Sequence, residues 1–280
     1  MRSDLLWRIL KETARKFIAI NGLFLASGLA FDILLYCIPL LFLVLSAIGY
    51  IFAISDHAIV DAQQILQQLL PGADQIVAEN IDFIIANRGQ FGFWGFISFL
   101  VLSTATFGTV RMVLNMVFAV KQPRSFLKGK LIDLLMLVVA SGLFIFTVGV
   151  SSIVAVIRGI GRQTPLLGSL LEPGWTLISA VLGFLFTVSL FYVFYRFCPA
   201  RGLKGAALWF ACLTGAILFE ISKWSFAWYI SFAQTYVLFY GTLSGFLFFL
   251  LWIYYTSVVF ILASTVGWVI EEHLNHSLRD

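Results

Sequence analysis

Residues 207–230 read ALWFACLTGAILFEISKWSFAWYI, twenty-four positions of which only Glu220 and Lys223 carry charge. At about 1.5 Å per residue, a helix of that length spans the ~30 Å hydrocarbon core of a bilayer. Five more apolar stretches are long enough to cross, at about 23–54, 91–120, 131–157, 175–197 and 240–270. Lipid leaves no water to satisfy exposed backbone groups, so such segments must close their hydrogen bonds internally, as helices do. Composition agrees: 61% of residues are hydrophobic and 11% charged, against about 25% charged in soluble domains. The expected fold class is an all-α polytopic membrane protein with six transmembrane helices, read as one integral membrane domain over residues 1–280.

The polar segments set the expected topology. Arg2, Arg8, Lys11, Arg15 and Lys16 alternate with Leu5, Leu6, Trp7, Ile9 and Leu10. Residues 1–20 therefore read as an amphipathic interfacial helix with a cytoplasmic basic face. The first long apolar stretch exceeds a signal-peptide core, so no cleaved leader is expected. Residues 55–90 carry Asp56, Asp61, Asp74, Glu79 and Asp82 against Arg88. The helical spacing of their apolar residues, broken at Pro71-Gly72, predicts two short helices in an outer-side insertion. Lys121, Arg124, Lys128 and Lys130, then Arg196, Arg201 and Lys204, mark two cytoplasmic loops. Arg162–Pro173 reads as a loop of turn residues. Six crossings then leave both termini cytoplasmic, in a bacterial inner membrane.

Charges inside the spans are the candidate site residues, because a charge in hydrocarbon costs at least ~2.5 kcal/mol and normally faces protein or a wet cavity. Asp32 and Arg111 both lie roughly 14–16 Å from the cytoplasmic ends of their helices, at ~1.5 Å per residue. Opposite charges at equal depth predict a buried pair, with Asn115 one turn beyond Arg111; Asp133 is expected near the headgroups, paired with a loop lysine. Glu220 and Lys223, three apart, share a helix face as an ion pair in the outer half. Each pair reads either as a helix-packing lock or as a polar station on a pathway.

Enzyme chemistry finds no foothold. His57, His273 and His276 are scattered over the topology and build no metal cluster, and GxSxG, P-loop and HExxH patterns are absent. Cys37, Cys198 and Cys212 form no CxxC and read as packing residues. No catalytic residue, metal or cofactor is expected. The net charge of +4 sits in loops that orient helices and implies no nucleic-acid partner.

Several stretches resemble one family. They are Ala30-Phe31 with Pro39-Leu40, and Arg111–Asn115 (RMVLN) followed by Lys121 and the RSFLKGKL run from Arg124. Further along come Tyr195–Pro199 (YRFCP), Gly215-Ala216, Glu220–Lys223 (EISK) before Phe226 and Tyr229, and Tyr240-Gly241 with Leu251–Tyr254. In order and spacing they are similar to the YihY/BrkB-like family of bacterial inner-membrane proteins. Asp32 departs from the pattern, which favours an aromatic there. The family includes members once labelled ribonucleases and others linked to export of lipid or lipopolysaccharide precursors. The resemblance thus implies a non-enzymatic protein that translocates or accommodates an amphiphile such as a lipid, with membrane lipids as partners. A non-transporting scaffold or envelope-assembly protein is the alternative, and homo-oligomerisation is open under either.

Overall fold

The computed structural model describes residues 2–54, 73–161, 165–232 and 242–277. Their regular secondary structure is entirely helical: α1 (Arg2–Ala19), α2 (Gly22–Ile54), α3 (Ala73–Val117), α4 (Phe126–Gly161), α5 (Pro165–Phe197), α6 (Gly205–Phe232) and α7 (Thr242–Ser277). Six of these contain a stretch long and apolar enough to cross a membrane: Gly22–Tyr50, Ile85–Val117, Phe126–Ser152, Leu177–Phe197, Gly205–Ser231 and Ser244–Asn275.

Two boundaries differ from expectation. The second short helix of the 55–90 insertion is not separate, because α3 runs unbroken from Ala73. Its 45 residues amount to roughly 68 Å, more than twice a hydrocarbon core. The first short helix falls in 55–72, outside the described residues. Most of the expected Arg162–Pro173 loop is helix, since α5 starts at Pro165. Proline suits a first helical position, where its missing N–H would have had no partner.

The chain forms two compact units, residues 32–106 and the remainder. In the first, α2 and α3 run antiparallel. Thr106 Oγ1 donates to the Asp32 carbonyl (3.1 Å), Tyr36 packs on Phe99 and Phe42 on Phe91, and Ser46 Oγ donates to the Arg88 carbonyl (2.8 Å). The helices come closest at Gly95, where a Cβ would lie 3.0 Å from Phe42 Cβ and 3.2 Å from the Leu43 backbone nitrogen.

In the second unit α4, α5, α6 and α7 pack in sequence, and α1 docks on α7. Lys16 Nζ sits 4.0 Å above the Trp268 ring, and His273 Nε2 meets Glu12 Oε2 at 2.7 Å. The tightest seam lies between α6 and α7. Ala207, Ala211 and Gly215 recur every fourth residue on α6, opposite Ala263 and Gly267 on α7. A Cβ at Gly267 would stand 2.5 Å from Leu203 Cδ1 and 2.6 Å from Ala211 Cβ. Between helices in lipid, attraction comes from such close packing, not from excluded water. Tyr195 of α5 is fully buried beside this seam and donates its hydroxyl to the Phe260 carbonyl (2.8 Å).

Candidate functional site

Two polar centres lie within the spans of the larger unit. The first joins α3, α4 and the α5–α6 turn. Arg111 Nε donates to Asp133 Oδ1 at 2.8 Å and Nη2 to Oδ2 at 3.1 Å, a side-on bidentate pair. Asp133 is 0% exposed, Arg111 17%. Each side chain occupies space left by a glycine one turn upstream on the other helix. A Cβ at Gly129 would be 2.8 Å from the Arg111 Cζ, and one at Gly108 would be 3.4 Å from Asp133 Oδ2. Side chains on a helix lean toward its N-terminus, which is why the glycine a turn earlier matters.

Asp133 therefore corrects the expectation that set it among the headgroups beside a lysine. It is sealed within the protein and grips Arg111. Asp32, the partner that depth arithmetic gave Arg111, belongs to the smaller unit, where its backbone carbonyl accepts the Thr106 hydroxyl. Equal depth is a one-dimensional criterion; the choice of partner also depends on which helices touch and where glycines leave room. Gly108 and Gly129, one turn before each charge, were the readable signal.

Asn115, one turn past Arg111, ties this centre to the next turn: its Oδ1 accepts the Ala200 N–H at 2.8 Å. Arg124 Nη1 donates to the carbonyls of Phe197 (3.2 Å) and Cys198 (2.9 Å), capping the C-terminus of α5 with a cation. Burial, reinforced by the Asp133 carboxylate, pushes the Cys198 thiol up to about 12, so it stays a neutral packing group. A cavity of about 380 Å³ opens beside this centre, lined by Gly108, Arg111, Met112, Asn115, Met116 and Val120 among others.

The second centre lies about midway along α6. Lys223 Nζ stands 2.7 Å from Glu220 Oε1, the i,i+3 pair that the spacing predicts. Glu220 Oε1 is itself buried, so the ammonium is its counter-charge. The side chains are 30% and 43% exposed respectively. On another face of the same stretch of α6, a cavity of about 770 Å³ is lined by Ser222, Ser225, Phe226 and Tyr229 with Leu251 and Tyr255 of α7, and neither Glu220 nor Lys223 lines it. Its surface is mostly aromatic and aliphatic, with two serine and two tyrosine hydroxyls among the lining groups. Among the described residues no group of three or more His, Cys, Asp or Glu could hold a metal ion.

Comparison with known proteins gives a consistent result. The family profile described as "Virulence factor BrkB" matches residues 13–280. A UPF0761 membrane protein of Chlorobium phaeobacteroides is 28% identical over 242 residues, covering 85% of this chain and 52% of that protein. One of Rhodospirillum centenum is 27% identical over 254 residues (88% and 53%), and one of Pasteurella multocida 25% over 209 (75% and 64%). The chain thus spans about half to two thirds of the length of these relatives. No solved structure matches.

Proposed function

The chain belongs to the BrkB family of membrane proteins, and on that footing we propose that it translocates or accommodates an amphiphile, a lipid being the best fit. The observation that carries this reading is the α6–α7 cavity. About 770 Å³ of mainly apolar space suits hydrocarbon, and the serine and tyrosine hydroxyls among its lining groups suit a polar headgroup. The reading is non-enzymatic and places the protein in a bacterial inner membrane with both termini cytoplasmic. The scaffold alternative draws its support from the Arg111–Asp133 pair, whose carboxylate is fully buried and which is tied to helix packing through Gly108 and Gly129.

The test is movement of fluorescent lipids across proteoliposomes. Wild type should exceed empty liposomes, and Glu220→Gln with Lys223→Met should fold equally well yet lose at least tenfold in rate. A normal rate in the double variant assigns the pair to architecture; a wild type no faster than empty liposomes over a broad lipid panel sinks the transport reading. Topology has its own check. Single cysteines at Gln64 and Gln122, in a cysteine-free background, should label from opposite faces of the membrane.

A further inference from the structure

The turn between α5 and α6 borders a second kind of cavity, an open one of about 310 Å³, whose lining includes Arg124, Arg196, Arg201 and Lys204 and no acidic residue. We propose that it is a binding site for a phosphate-bearing anion. Four cations around so small a space repel one another unless an anion joins them. Glu271 meets only the outer edge of the cluster, 3.6 Å from Arg201 Nη2, where Arg201 is 66% exposed.

Two of the cations are already positioned. Arg124 is held by the Phe197 and Cys198 carbonyls, and Arg196 Nη1 donates to the Leu203 carbonyl at 3.3 Å. A guanidinium fixed through one nitrogen still presents a fork of N–H donors, and that fork matches the oxygens of a phosphate. The backbone around them is fixed too. A Cβ at Gly202 would fall 2.0 Å from the Arg196 carbonyl oxygen, so the turn closes this tightly only with glycine. Neither guanidinium has to be ordered at the moment of binding, which lowers the entropic cost.

Size and place narrow the ligand. The volume accommodates a phosphate group, and the open side leaves room for whatever the phosphate carries. The cavity lies between the end of one span, Phe197, and the start of the next, Gly205, the level at which lipid phosphates meet water. The phosphate group is the shared chemistry; a lipid headgroup and a small soluble phosphate are its two sources. The site is separate from the α6–α7 cavity, and its test contains no transport step.

Purified protein in zwitterionic detergent micelles would be titrated with phosphatidic acid, phosphatidylcholine, inorganic phosphate and glycerol 3-phosphate. Binding would be read by calorimetry and by the rise in melting temperature. Wild type should bind phosphatidic acid or the soluble phosphates at least tenfold more tightly than phosphatidylcholine. Phosphatidic acid alone identifies a headgroup site; comparable binding of glycerol 3-phosphate identifies a soluble phosphate. Arg201→Gln with Lys204→Gln, neither of which holds the turn's backbone, should melt as wild type without ligand and lose at least tenfold in affinity. Lys121→Gln with Lys128→Gln removes the same charge from exposed positions outside the cavity and should bind normally. Equal losses in the two double variants, or no loss in the first, would overturn the site, as would wild type failing to prefer a phosphate anion.

Discussion

Asp133→Asn should remove most of the folded protein, with a cost of about 3–5 kcal/mol, the range for losing one partner of a buried ion pair. The reason is asymmetric chemistry. Asp133 is fully buried and supplies both acceptors for Arg111, whose guanidinium cannot shed its proton. Arg111→Met should be milder, because a stranded carboxylic acid can become neutral by taking up a proton. Combining the two changes should recover much of the loss from Asp133→Asn. Melting temperature and the fraction eluting as a single species in mild detergent are the measurements. Strict additivity of the two single effects would show that the residues do not act as a pair.

Gly267→Val should be the second most damaging change, because the α6–α7 seam has no slack. Even a single Cβ at Gly267 meets Leu203 Cδ1 at 2.5 Å and Ala211 Cβ at 2.6 Å, with the Ala207 carbonyl oxygen at 3.3 Å. The leucine tip can turn aside; the Ala211 methyl and the Ala207 backbone cannot move without the helix. Overpacking ordinarily costs about 1–3 kcal/mol, and a branched side chain here belongs at or above the top of that range. Gly267→Ala should fall between valine and wild type. A melting temperature for the valine variant within a degree of wild type would mean the seam is looser than described.

The architecture was legible because its cause is one-dimensional. Six long apolar runs in a chain with few charges can only become spanning helices, and the structure has a helix over each of them. Pair geometry along a single helix was legible for the same reason, as Glu220 and Lys223 illustrate. Contacts between helices were not. Depth alone did not find the residue that grips Arg111, since Asp133 lies only nine positions after Arg124, close enough to the basic loop to look solvent-facing. The α6–α7 seam left a trace in the fourfold spacing of Ala207, Ala211 and Gly215, but its partner stripe on α7 is shorter. The cationic cavity needed the fold, because Arg124 comes from one loop and Arg196, Arg201 and Lys204 from another.

The interlock of Arg111 and Asp133 across two successive helices also bears on how the chain enters the bilayer. Arg111 is synthesised 22 residues before its carboxylate. Until α4 has followed, α3 presents a lone guanidinium to lipid, a penalty of roughly 2.5–3.5 kcal/mol on insertion scales. The incoming α4 carries both the neutralising charge and the Gly129 notch that receives the arginine, so the two helices gain most by partitioning together. A nascent chain arrested just after Val120 should hold α3 only loosely, by glycosylation mapping of its ends, whereas one arrested after α4 should hold it firmly. The second and third spans would then leave the translocon as a pair, with this ion pair as the latch between them.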